Sequence, residues 1–246
     1  MERSEPRYKR VLLKISGELL GGSGGDAFSE ENLRFIVDEI SEVVELFGIE
    51  VGLVVGAGNI VRGEKLYRAL GIDRSTADYM GMIGTIINSL ALQSAFEKRG
   101  LKAVVMSSLE IRGVVKPYAI REAMDHLRER KIVIFAGGTG SPYFTTDTAA
   151  ALRAVETGCD VLLKGTKVDG VFDRDPEVHS DARKIDRIDF DEVIRRELRV
   201  MDITAFTLCR ENSLPIIVFN LTERGNLKKA VMGEKVGTLV WSKKEA

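Results

Sequence analysis

Cysteine and histidine are scarce in this sequence, with two of each in 246 residues. So few thiols exclude a disulfide framework. Cys159, in a small-residue stretch, and Cys209, in a helix-like run, read as buried thiols of a reducing compartment. His126 and His179 lack partner spacing and read as surface residues, so no Cys/His metal cluster and no hydrolytic triad can be built from them. No apolar run approaches the roughly 18 residues a bilayer demands, and Met1 to Arg10 is polar and charged. The expectation is therefore a cytoplasmic protein without signal peptide or membrane anchor. An excess of one charge is missing too: 36 basic against 37 acidic residues give a formal net charge of −1, which offers no general field for nucleic acid. Any polyanion site must be local. What is present, 44% hydrophobic and 30% charged residues, is the composition of an ordinary globular protein, and the length suits one large α/β domain.

Short β-branched runs alternate with longer periodic segments. Val11 to Ile15, Val51 to Val55, Ala103 to Met106, Ile132 to Phe135, Val161 to Lys164 and Ile216 to Phe219 read as strands. They are continuously apolar, as strands covered on both faces are, and the helices between them are what parallel crossovers require. The expected architecture is α/β, a three-layer αβα sandwich around a mainly parallel sheet. Helices are predicted over Glu30 to Phe47, opened by Ser29 and stopped by Gly48, and over Ser75 to Arg99, stopped by Gly100. Shorter ones are predicted over Ile120 to Arg130, Thr146 to Thr157, Asp202 to Asn212 and Asn226 to Met232. Gly81 and Gly84 inside the second long helix predict close packing there. A weak lobe division falls near residues 124–131, within what reads as one compact unit.

In doubly wound sheets ligands gather beyond the carboxyl ends of strands, and four such exits are glycine-rich or polar. The first, Lys14-Ile15-Ser16-Gly17-Glu18, puts a lysine, a hydroxyl and an approachable backbone at one strand end, and lacks the spacing of a Walker A loop. The second, Gly56-Ala57-Gly58-Asn59 with Arg62, offers amide donors and a planar fork. The third runs Thr139-Gly140-Ser141-Pro142-Tyr143-Phe144-Thr145-Thr146-Asp147 into a helix N-terminus. The fourth, Lys164-Gly165-Thr166-Lys167-Val168-Asp169-Gly170, reads as ending in a β-hairpin turn at Asp169-Gly170. Lys14 and Lys164 at separate strand ends, with Asp147 able to orient them, are equipment for phosphoryl transfer, which needs positive charge and placed donors more than covalent chemistry.

Taken together these loops resemble the amino acid kinase superfamily, and within it the UMP branch. The resemblance covers nearly the whole chain. It rests further on Asp78-Tyr79-Met80-Gly81-Met82, Phe172 with Asp175-Pro176, Val200-Met201-Asp202, Ala205-Phe206-Thr207 and Val231-Met232-Gly233-Glu234-Lys235. It implies transfer of the ATP γ-phosphoryl group to UMP, with Mg²⁺ arriving on ATP. Lys14, Ile15, Ser16 and Gly17 would meet the ATP phosphates, with Ala57 and Arg62 nearby. Thr166, Phe172 and Asp175 would line the adenosine side. Gly56, Asp78 and Thr139 through Thr146 would hold UMP. Lys14, Arg62, Asp147, Lys164 and Asp202 are the implied catalytic set, Asp147 organising the lysines.

The resemblance also implies a single domain with a UMP-binding and oligomerisation part over about 1–130 and an ATP-binding part over about 131–246. A homohexamer built as a trimer of dimers, activation by GTP and inhibition by UTP follow from it too, although the 21–28 loop is looser than in relatives. Ala57 departs from the family's Gly-Gly-Gly-Asn pattern, and its methyl is expected to alter local detail. Two other readings compete. One is a carboxylate kinase of the same fold, against which Asp78 argues; the other is a non-catalytic nucleotide-binding or storage protein, against which Lys14, Asp147 and Lys164 argue.

Overall fold

The computed structural model describes residues 5–61, 67, 70–174, 178–179, 181–198 and 200–242. All six continuous apolar runs form strands: β1 (Arg10–Ile15), β2 (Glu50–Val55), β3 (Ala103–Ser107), β5 (Ile132–Ala136), β6 (Val161–Thr166) and β10 (Ile216–Asn220). Five more, β4 (Lys116–Pro117), β7 (Val171–Phe172), β8 (Lys184–Ile185), β9 (Arg187–Asp189) and β11 (Thr238–Trp241), are too short for periodicity to reveal. The helices are α1 (Glu30–Phe47), α2 (Arg74–Lys98), α3 (Ile120–Arg128), α4 (Thr146–Glu156), α5 (Phe190–Arg195), α6 (Ile203–Glu211) and α7 (Asn226–Met232).

Nine strands join one sheet in the order β4-β3-β5-β2-β1-β6-β10-β11-β9, parallel throughout except at β10–β11. Alternation along β1 shows how the layers are filled. Val11, Leu13 and Ile15 point into a core closed by α1, α2 and α7, whereas Leu12 points into one closed by α3, α4, α5 and α6. Burial on both faces is why these strands read as unbroken apolar runs.

Local signals set the helix ends. Ser29 caps α1 by accepting the Asn32 N–H, and Gly48 stops it at φ 64°, a conformation that a side chain disfavours. Asp73 caps α2 through the Thr76 N–H, one residue earlier than Ser75 suggests.

Three expectations need correction. Asp169-Gly170 does not turn a hairpin, because β7 pairs antiparallel with β8 and not with β6. Gly170 is required by close approach instead: a Cβ there would lie 2.6 Å from Thr238 Oγ1, which accepts the Val171 N–H at 2.8 Å. His126 is half-buried instead of exposed. Its side chain is 15% exposed, and burial, followed by Lys131 and Lys116, pushes its pKa down. Of the two helix glycines only Gly84 is closely packed, since a Cβ on Gly81 would meet no described atom within 4 Å.

Candidate active site

The four exit loops follow β1, β2, β5 and β6, and these strands are consecutive in the sheet in the order β5-β2-β1-β6. Because all three pairings are parallel, the loops leave side by side at one end. Adjacency in the sheet, which sequence order conceals, makes one site of them.

Register then places Lys14 of β1 directly beside Lys164 of β6. Both share the side-chain parity of Leu12 and Leu162, hence the α4 face. Two ammonium groups on neighbouring strands repel, and Asp147 in the first turn of α4 resolves this. Its Oδ1 lies 2.7 Å from Lys14 Nζ and its Oδ2 2.8 Å from Lys164 Nζ, with all three side chains between 13% and 16% exposed. Lys164 also donates to the Val200 carbonyl at 2.7 Å. Burial acts to raise the Asp147 pKa, but Lys14 and Lys164 together outweigh it and hold the carboxyl below the ordinary range. Two cations on one anion leave a net positive charge beside a helix N-terminus, where an anion is favoured. Lys167 does not join this group; it lines a different cavity with Glu18, Arg34 and Arg224.

The glycines bring the first two loops into backbone contact. A Cβ on Gly17 would lie 2.5 Å from the Gly56 carbonyl oxygen, so only glycine lets the loops meet there. Ser16 caps the short turn Gly17–Leu19 by accepting the Glu18 N–H. Ala57 is not among the residues of positive φ, and its methyl sits against α2, where a Cβ on Gly84 would come within 2.8 Å of it. Gly84 thus makes room for Ala57. Buried Asn88 of α2 donates to the Gly56 carbonyl at 2.7 Å and to Asn59 Oδ1 at 2.8 Å, bracing the same loop from beneath.

The third loop is held from two sides. Gly137, Gly138 and Gly140 have φ of 73°, 59° and 83°, a left-handed run that glycine permits. The Gly137 N–H donates to Thr85 Oγ1 of α2 at 2.9 Å. Thr139 Oγ1 pairs with the Ser141 backbone, donating to its carbonyl and accepting its N–H. Tyr143 holds φ 71°, and its N–H donates to Asp78 Oδ2 at 2.8 Å, while Arg74 grips the same carboxylate at 2.9 Å. Pro142 is half-buried, whereas Tyr143 and Phe144 are exposed.

Thr145 caps α4 by accepting the Asp147 and Thr148 N–H groups, just before Thr146 opens the helix. Its hydroxyl donates to Asp202, which also takes the Thr148 hydroxyl at 3.1 Å and, as N-cap of α6, the Ala205 N–H at 3.0 Å. Thr166 ends β6 with its hydroxyl on the Val168 and Phe219 carbonyls, and Phe172 lies in β7. Arg62 and Asp175 lie outside the described residues.

Thr85 and Asn88 hold these loops from α2, which a loop-by-loop reading of the sequence does not reveal. Thr85, Asn88 and Ser89 recur on one helical face of α2, and a buried polar stripe in an otherwise apolar helix was the available signal. Burial pushes both cysteine thiols up to about 12, which keeps them protonated near neutral pH. Among the described residues no three His, Cys, Asp or Glu side chains gather as a metal cage, and no helix is long and apolar enough to cross a membrane.

This arrangement has known counterparts. The chain is 52% identical to the uridylate kinase of Rubrobacter xylanophilus over 234 residues, 95% of this chain and 91% of that protein. The solved UMP kinase of Bacillus anthracis superposes with a TM-score of 0.93 at 41% identity, covering 96% of this chain and 97% of that one. The uridylate kinase structure from Archaeoglobus fulgidus gives 0.71 at 28% identity, over 94% of this chain and 99% of that one. Residues 9–220 match the amino acid kinase family, and with the lysine pair, its shared carboxylate and the glycine loops all in place, the chain belongs to that family.

Proposed function

We propose that the protein transfers the γ-phosphoryl group of ATP to UMP, giving UDP and ADP. The observation that carries this reading is the Lys14–Asp147–Lys164 assembly at adjoining strand ends, flanked by two glycine loops in backbone contact. The 52% identical uridylate kinase and the UMP kinase structure at a TM-score of 0.93 support the choice of acceptor.

In this reading an oxygen of the UMP phosphate attacks the γ-phosphorus while the bond to the β,γ-bridging oxygen breaks, and no phosphoenzyme forms. A phosphate monoester has a second pKa of about 6, so at neutral pH the nucleophile is already ionised and needs no general base. Asp147, kept ionised between two ammonium groups, is suited to orienting them and not to taking a proton. Lys14 and Lys164 stabilise charge on the transferring group, aided by Arg62. Ile15, Ser16, Gly17 and Ala57 present backbone to the ATP phosphates. Thr166, Phe172 and Asp175 line the adenosine side.

Gly56, Asp78 and Thr139, Gly140, Ser141, Pro142, Tyr143, Phe144, Thr145 and Thr146 hold UMP. Asp202 fixes the Thr145 end of that loop. Asp147 is engaged by lysines and Asp202 by two threonines, which fits Mg²⁺ carried on ATP phosphate oxygens and water, where it would neutralise charge. The part over about 1–130 serves UMP and assembly, and the part over about 131–246 serves ATP. Tyr79, Met80, Ile83 and Ile87 form an exposed apolar stripe on α2, which supports a homo-oligomer, as a hexamer of three dimers, with the stripe covered by a second copy.

The test is ADP release from Mg·ATP with UMP, CMP, AMP, N-acetylglutamate and aspartate offered in parallel, with and without GTP or UTP. Strong preference for UMP is expected. Lys14→Ala and Asp147→Asn are expected to lower kcat by about 10²- to 10³-fold with the fold retained by circular dichroism. ATP binding without turnover of any acceptor would overturn the reading.

A further inference from the structure

Arg153 of α4 is 4% exposed, an unusual place for a guanidinium unless its donors are used. One arm of its fork meets Glu156 at 2.5 Å, and its carbon lies 3.7 Å from the Tyr118 ring centroid. Tyr118 closes this circle by donating its hydroxyl to the same Glu156 oxygen at 2.6 Å. Charge balance is complete with Glu156 alone, yet the other arm donates to Ser108 Oγ at 2.7 Å, beyond β3. The Ser108 hydroxyl passes its one proton to the Gly138 carbonyl at 3.0 Å.

We infer that Arg153 is a positioning residue for the 137–141 loop, acting through Ser108; the inference rests on the reading of that loop as acceptor-binding. The physical case has three parts. Within the loop the Gly140 N–H donates to the Gly137 carbonyl and the Thr139 hydroxyl to that of Ser141, whereas the Gly138 carbonyl takes its donor from outside the loop. A hydroxyl that accepts from a guanidinium is a stronger donor, and the partial burial of both bonds raises their worth. Ser108 also lies directly under the turn, since a Cβ on Gly140 would be 3.2 Å from its own Cβ. With the Gly137 N–H held by Thr85 opposite, the loop is fixed on both sides. Arg153 stands on the same helix as Asp147, so one rigid element sets both the paired lysines and the acceptor loop. Their relative placement is then independent of any loop's own stiffness.

The experiment uses Ser108→Ala, which deletes only the relay hydroxyl, and Arg153→Lys, which keeps charge beside Glu156 but loses the fork. Both are expected to raise the KM for UMP about tenfold while the KM for ATP stays within about twofold. Amide exchange over 137–141 in Ser108→Ala is expected to quicken about tenfold with that of α4 unchanged. Equal rises in both KM values, no change in either, or unaltered loop exchange would overturn the inference. A wild-type protein that does not turn over UMP would sink the acceptor reading instead, and the exchange measurement would still decide whether the relay holds the loop.

Discussion

Helices α1 and α2 lie on the same face of the sheet, and they divide polar and apolar residues differently. The buried face of α1 carries Ile36, Val37, Ile40, Val43 and Val44 with Glu39 and Ser41 among them, and its outward face is polar apart from Leu46. On α2 the inward face mixes Met82, Ile86, Leu92 and Phe96 with buried Thr85, Asn88 and Ser89, while Tyr79, Met80, Ile83 and Ile87 face outward at 37% to 47% exposure. The difference separates two kinds of helix. Most buried positions of α1 serve apolar packing, whereas α2 spends buried Thr85 and Asn88 on hydrogen bonds that hold two site loops. Its outward apolar stripe is left uncovered among the described residues.

The sharpest way to break this comparison is to truncate one buried residue on each helix. Asn88→Ala strips the Gly56 carbonyl and Asn59 of their brace, and kcat/KM is expected to fall about 100-fold. Ile40→Ala on α1 is expected to cost about 2 to 5 kcal/mol in urea unfolding while kcat/KM of the folded enzyme stays near wild type. Equal kinetic losses in the two variants would erase the distinction. A smaller effect is expected outside: Ile83→Asp with Ile87→Asp puts charge into the stripe and should weaken self-association by about 100-fold, read as a lower sedimenting mass. An unchanged mass would show that the stripe is not an interface.

The smallest effect concerns two carboxylates with opposite titration. Glu39, the one buried acid on α1, accepts the Gly225 N–H, and burial raises its pKa. A raised carboxyl pKa means the folded state holds the proton more tightly, so stability falls as pH rises from the unfolded value near 4.3 through the folded one. Glu39→Gln should therefore be the more stable protein at pH 7, with the gain vanishing toward pH 4. Asp147 behaves in reverse. Its lowered pKa contributes stability that is present above the unfolded value near 3.9 and lost as pH falls through the folded one. Asp147→Asn should be less stable at pH 7 and converge on wild type in acid. Urea midpoints across pH 4 to 7 check the Glu39 slope, and midpoints from pH 4 down to 2 check that of Asp147.

Much of this was legible beforehand, and for physical reasons. Doubly covered strands must be apolar throughout, so β1, β2, β3, β5, β6 and β10 were visible as runs; capped helices must carry their caps, so α1 ended where Ser29 and Gly48 said. The chemistry-bearing loops were visible because glycine next to lysine or arginine at a strand end has few other uses. Less visible were β7, β8, β9 and β11, whose two to four residues show no period, and the role of Gly170, which depends on Thr238 far along the chain. His126 read as exposed because a single residue on a polar helix reveals nothing of the lysines packed around it.

The sequence by itself determined the layers, the helix ends and the identity of the loops, because each of these rests on local conformational preference and on a side-chain period within one segment. Only the tertiary structure decided that β1 and β6 are neighbours in register, that Lys14 and Lys164 therefore share Asp147, and that Gly84 yields to Ala57. Those are meetings between residues from 17 to 150 positions apart, and such meetings are fixed by how strands order in a sheet, which no local preference encodes.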